Sequence, residues 1–346
     1  SHIDKSVRAQ DDLFRFMNGS WLKESVIPAD RASDGAFYRL YEQAEKQVQQ
    51  IILDQAKDQP AAGSNAQKIG DLYSCFMAEE RIEQLGISPI KADLELAQKF
   101  NSKNEFIKLL AQQEAKGLGG LFYLFVSTDH KDSTNNIIYL GQSGLSLPDE
   151  AYYREAEYEP IRQAFLLHIE KMFELAKLPN SKQSAELILK LETQIAGNHW
   201  DQVKDRDATL TYNKNTFDQL VKMCPEFEWQ SWIEDSQTPQ EVLAQVIIRQ
   251  PSFFAGLSNL LGNFELEKWR AWLTWQILSS SAPYLNKELV NENFNFYGTT
   301  LSGTPMLKDR WKRAVGLVEG SLGEAVGQIY VQRHFGQKAK ERMVDL

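Results

Sequence analysis

The stretch RWKRAVGLVEGSLGEAVGQIY, residues 310–330, sets Trp311, Val315, Val318, Leu322, Ala325 and Ile329 at intervals of three and four. That spacing gathers apolar side chains on one face of an α-helix. Ile161, Phe165, His168, Met172 and Ala176 form a second stripe, and both are expected core faces. Most of the chain reads the same way. The exception is 121–140, where the apolar runs Leu121 to Val126 and Ile137 to Leu140 flank the polar stretch Asp129 to Ser133; this predicts a β-hairpin with a long loop. A further short strand is expected at Val246-Ile247-Ile248, stopped by Pro251. The fold class is therefore mainly α with a small β component.

With 346 residues, 42% hydrophobic and 25% charged, the chain has the make-up of an ordinary globular protein with room for one large or two smaller cores. Its net charge of -9 and scattered basic residues, densest at Lys308, Arg310, Lys312 and Arg313, argue against a nucleic-acid partner, which needs a basic face. No run approaches the length of a membrane span, so none is expected. Ser1-His2 reads as a cloning remnant, and the start lacks the regions of a signal peptide, so an export signal or anchor stays open. Two cysteines, Cys75 and Cys224, cannot build a disulfide framework; two buried free thiols are expected, with one bridge as the alternative. Small and turn-forming residues cluster at 59–64, at Pro179-Asn180 and at 298–305, and read as weak linkers. Residues 337–346 read as a helix with no glycine cap after it, which fits a truncated chain or a domain end.

No constellation of catalytic residues is visible. A helix-borne zinc site needs two histidines one turn apart with a glutamate between them, and His2, His130, His168, His199 and His334 offer no such pair. Gly298 to Pro305 has P-loop glycine spacing, but Thr304 stands where the phosphate-binding lysine belongs. Gly117-Leu118-Gly119-Gly120 precedes a strand rather than a helix, which spoils a dinucleotide fingerprint. Glu79 and Glu80 read as solvated helix charges. Asn18-Gly19-Ser20 matches a glycosylation acceptor in a helical context.

Three blocks in order carry a resemblance. Asp11 to Leu22 with Ile27-Pro28-Ala29-Asp30 is the first, and Gly141 to Pro148 with Tyr152-Tyr153 the second. The third is Phe296 to Gly303, followed by Arg310 to Arg313 and Leu322 to Gly327. Together they resemble the amino-terminal half of the neprilysin and endothelin-converting-enzyme family of zinc metallopeptidases, and the third block accounts for the false P-loop as a turn leading into a long helix.

The resemblance implies a large helical cap domain plus a small β-hairpin segment belonging to a thermolysin-like catalytic domain that is otherwise absent. On this reading 1–40 packs on the catalytic domain, 41–118 is helical, 119–153 is hairpin and loop, and 154–346 is the helical cap, truncated at its carboxyl end. It also implies zinc in the full-length enzyme and none bound by this chain alone. Zinc-polarised water would attack a peptide carbonyl, while the cap encloses a chamber that filters substrates by size. No catalytic or metal-ligating residue is expected here. The implied partners are peptide substrates and the missing carboxyl-terminal catalytic half, and a periplasmic, cell-surface or secreted location is favoured.

Substrate contacts are implied at Ser33, Gly35, Phe37 and Tyr38. Ser33 stands where dipeptide-releasing members carry a carboxylate-binding arginine, and Tyr38 replaces an aspartate. Arg31 or Arg39 would substitute only on a different backbone path, so endopeptidase action is expected. The alternative is a catalytically inactive helical peptide-binding or scaffold protein of the same fold, whose surface would have become polar where a catalytic half is lacking.

Overall fold

The computed structural model describes residues 2–57 and 60–345; Gln59, at the head of the first expected linker, lies outside them. The chain divides into two compact units, Ser1–Glu79 with Leu301–Leu346, and Glu80–Thr300.

The first unit is helical. Leu13–Glu24 starts on Asp12, whose side chain accepts from the Arg15 amide at 2.8 Å, and Asn65–Met77 starts on Ser64, which accepts from the Gln67 amide at 3.2 Å; each cap satisfies an amide the helix cannot. Ala36–Lys57, Asn65–Met77 and Arg310–His334 pack around Val48, Ile52, Ile69, Tyr73, Phe76, Val315 and Val318, with Trp311, Leu322, Ala325 and Ile329 against them. The stripe that opens the sequence reading is thus a core face. Arg310–His334 is kinked at Leu322 (φ -133°, ψ 26°), between Gly320 and Gly323, where the helix is intrinsically weakest.

The second unit joins helices to a four-stranded sheet. β1 (Phe122–Asp129) and β2 (Asp132–Gln142) are antiparallel, with Leu124 opposite Leu140; β3 (Lys214–Thr216) and β4 (Gln245–Ile248) complete the order β1-β2-β4-β3, with β2 and β4 parallel. The β4 expectation at 246–248 holds. The long loop does not: β1 and β2 turn through His130 and Lys131 alone. Asp129 closes that turn by accepting from the Lys131 amide (2.9 Å), Tyr212 hydroxyl (2.8 Å) and Lys214 ammonium (2.9 Å), and these donors hold its carboxyl down to about 2. The polar run that reads as a loop is this turn with the strand ends beside it, Asp129 buried at the end of β1 and Asp132-Ser133 exposed at the start of β2. β3 carries no apolar alternation and was missed.

Phe106, Phe165, Phe253, Phe254, Trp269, Trp272 and Trp275 fill this unit's core. Phe165, His168, Met172 and Ala176 are buried with them, as the second stripe predicts. Pro179-Asn180 is no linker but a tight turn between Glu159–Leu175 and Ser181–Ala196, with Asn180 left-handed at φ 55°. Both cysteines are free: Cys224 is buried as expected, whereas Cys75 is exposed on its helix.

Candidate functional site

The expected substrate contacts straddle the start of the helix Ala36–Lys57, Ser33 and Gly35 before it and Phe37 and Tyr38 in its first turn. The Ser33 and Tyr38 hydroxyls lie 3.1 Å apart, and both residues are exposed. Phe37 is 86% exposed, and a Cβ on Gly35 would meet nothing within 4 Å. The structure therefore brings Ser33 and Tyr38 together and leaves Phe37 exposed, with Gly35 half-buried between them.

Arg31 is not available to a ligand. Its side chain is only 11% exposed and is held by Glu42, by Asp34 at 3.5 Å and by Asp30 at 3.7 Å, while its guanidinium lies 5.1 Å from the centre of the Tyr38 ring. Asp30 in turn binds Lys312 at 2.6 Å. Arg39 is differently placed. It lines a groove of about 510 Å³ with Lys46, Gln47, Arg333 and His334. Arg39 and Lys46 make no ion pair among the described residues, so the groove presents two unpaired cations. Sequence reasoning missed the groove because Arg39 and Arg333 lie nearly 300 positions apart.

The three sequence blocks have physical reasons. In the first, Gly19 lets the chain fold back: a Cβ there would stand 2.5 Å from the Asp4 side chain, which binds Lys23 at 2.7 Å.

The second block is built around a buried carboxylate. Glu192 accepts from the Ser146 hydroxyl at 2.7 Å, the Ser146 amide at 3.1 Å and the Tyr153 hydroxyl at 2.5 Å. Burial outweighs these donors and pushes its carboxyl up to about 7. The Trp275 indole donates to the Ser146 hydroxyl at 2.9 Å, and Gln142 is bonded both ways to the Trp200 backbone. On Gly141 a Cβ would fall 2.1 Å from the Tyr123 ring, and Gly144 has φ 92°.

The third block contains a π-helix, Asn295–Thr300, whose Phe296 stacks on His168 with centroids 4.7 Å apart. His168 Nδ1 lies 2.8 Å from Glu292, and burial holds the imidazole below its ordinary pKa. This histidine is packed into the core, as its stripe position predicts. Downstream, Arg310 donates twice to the Phe76 carbonyl (2.8 and 2.6 Å) and so caps Asn65–Met77.

Zinc does not fit these residues: among those described, no group of three or more His, Cys, Asp or Glu is placed to hold a metal ion. No helix among them is long and apolar enough to cross a membrane.

A mainly helical chain with a small mixed sheet and these three blocks in order defines the amino-terminal part of a neprilysin-type metallopeptidase. The profile of peptidase family M13 matches residues 9–346, and the chain belongs to that family. It is 26% identical over 358 residues to endothelin-converting enzyme 1 of Rattus norvegicus, covering 98% of this chain and 46% of that protein. Endothelin-converting enzyme-like 1 of Mus musculus is 24% identical over 366 residues, covering all of this chain and 46% of its own. The crystal structure of Mycobacterium tuberculosis zinc metalloprotease Zmp1 in complex with inhibitor superposes with a TM-score of 0.95 at 41% identity, over 100% of this chain and 53% of that one. PepO of Lactobacillus rhamnosis, at 22% identity and TM-score 0.82 over 98% of this chain and 54% of that one, shares the fold. The chain thus spans about half the length of the relatives it matches, and the family implies zinc in the full-length enzyme.

Proposed function

We propose that this chain is the non-catalytic amino-terminal part of a zinc-dependent endopeptidase that acts on peptides, and that it governs substrate access and size. The observation that carries this reading is apolar surface arranged for a partner. Phe37, Leu40 and Tyr41, at helical spacing on Ala36–Lys57, are 86%, 63% and 47% exposed. Leu13, Phe14 and Met17 do the same on Leu13–Glu24, and Val26 and Ile27 between them are exposed too. Apolar stripes at helical period ordinarily face a core, so these faces suit the carboxyl-terminal catalytic half. A free-standing scaffold would carry polar residues there.

Of the sequence segments, 1–40 is the one this surface supports as packing on the catalytic domain. Assigning the hairpin of 119–153 to that domain and 154–346 to the cap rests on the family resemblance. Ser33, Gly35, Phe37 and Tyr38 are proposed substrate contacts at the edge of the apolar face. With Ser33 at the anchoring position and Arg31 bound by three carboxylates, neither residue is free to grip a terminal carboxylate, and Arg39 lies instead in the groove with Lys46 and Arg333, which supports endopeptidase action. Mapping the products of the full-length enzyme on peptides of graded length tests this. Internal cleavage of peptides, with folded proteins refused, is expected. Products dominated by released carboxyl-terminal dipeptides would overturn it.

A further inference from the structure

The groove that Arg39, Gln43, Lys46, Gln47 and Gln50 form with Arg333 lies wholly within the unit of Ser1–Glu79 and Leu301–Leu346, and its charges do not balance. Glu42 stands three residues after Arg39 and four before Lys46, the spacings at which a helix pairs opposite charges. Its carboxylate is instead bound to Arg31. Asp54 is likewise taken, by Arg333 and by the Gln50 amide at 2.8 Å. Both carboxylates beside the groove thus have partners, while Arg39 and Lys46 are exposed and make no ion pair among the described residues. Tyr330 donates to the Gln47 side-chain oxygen at 2.8 Å, so the free polar group of Gln47 is also a donor. In a chain of net charge -9, this wall is rich in donors and carries surplus positive charge.

The position on the helix decides what can reach it. At about 100° per residue, Arg39, Gln43, Lys46 and Gln50 fall within about 60° of one another. The buried Val48 and Ile52 lie on the opposite side, and so do the exposed Phe37 and Tyr41. A partner that covers the apolar side of Ala36–Lys57 therefore leaves the cationic side open to a ligand from solution. Arg39 and Lys46 are seven positions apart, about 10 Å along the helix axis. A single phosphate or carboxylate is too small to bridge that span. An extended peptide rises about 3.3 Å per residue, so two acidic side chains three residues apart match it.

We propose that this groove binds an acidic peptide in extended form, one carboxylate on the Arg39 guanidinium and a second, three residues along, on the Lys46 ammonium. The contacts are charge-assisted hydrogen bonds at an exposed site, so binding is salt-sensitive. The proposal does not depend on the peptidase reading, since it concerns binding by this chain alone.

Calorimetric titration of the chain with the capped peptide Ala-Glu-Ala-Ala-Glu-Ala tests it, beside the same peptide with glutamine at both acidic positions and beside tripolyphosphate. Saturable binding of the glutamate peptide is expected, weakened about fivefold or more by the double variant Arg39→Gln/Lys46→Gln, by the glutamine replacements and by raising salt from about 50 mM to about 500 mM. The charge-matched variant Lys190→Gln/Lys222→Gln, altered at exposed lysines of the other unit, should bind as the native chain does, which separates a site from general attraction. Recovery of the peptide intact keeps the result apart from any hydrolysis. No saturation below about 10 mM, equal binding of the glutamine peptide, or an unaltered affinity in Arg39→Gln/Lys46→Gln would overturn the proposal. Tripolyphosphate binding where the peptide does not would overturn it too, and would assign the groove to a phosphate chain.

Discussion

Glu192 and Tyr153 show what a sequence block can hide. From Gly141 to Pro148 the sequence displays glycines, serines and a proline, and nothing in their spacing points to a glutamate 46 residues beyond Ser146. In the fold, the Tyr153 hydroxyl donates to Glu192 and accepts from the amides of Ser146 (3.1 Å) and Leu147 (2.9 Å). Removing that oxygen strands the Leu147 amide and deprives a buried carboxylate of a donor. Tyr153→Phe should therefore cost about 1–3 kcal/mol, read by denaturant unfolding. An unchanged midpoint would mean that water replaces the hydroxyl without penalty. Single-residue roles of this kind are illegible in one sequence because they depend on pairs far apart in it. His168 is the contrasting case: its place on an apolar stripe marked it as packed, and it is.

Secondary-structure elements were more legible, where periodicity was strong. The stripes on Arg310–His334 and Glu159–Leu175 follow from spacing alone, because each buries one face. The hairpin's turn was misjudged because the exposed end of β2 is polar, and polarity without periodicity reads as loop. Glycines separate two cases that sequence cannot. On Gly70 a Cβ would stand 2.9 Å from the Ala56 backbone, marking the close approach of Asn65–Met77 to Ala36–Lys57, whereas one on Gly316 would meet nothing within 4 Å. Alanine at an open helical position stabilises by up to about 1 kcal/mol. In this chain Gly316→Ala should raise the thermal midpoint and Gly70→Ala should lower it. Shifts of the same sign would show that the approach at Gly70 is not tight.

For the whole molecule, the sequence carried the fold class and the family, while the division at Glu79/Glu80 and Thr300/Leu301 emerged only in three dimensions. The turn-rich stretch 298–305 straddles the second of these points, so one linker signal was meaningful. The exposed faces at Leu13, Phe14, Phe37, Leu40 and Tyr41 could not be read beforehand, since a helical apolar stripe looks the same whether its partner lies in the same chain or elsewhere. Those faces and the match to about half of each relative support the proposal that peptidase activity would require residues outside this chain. The most direct measurement is a zinc determination and peptidase assay on the 346-residue chain, alone and then mixed with the proposed carboxyl-terminal catalytic half. The account predicts no stoichiometric zinc and no hydrolysis by the chain alone, with both appearing on mixing; zinc-dependent hydrolysis by the chain alone would contradict it.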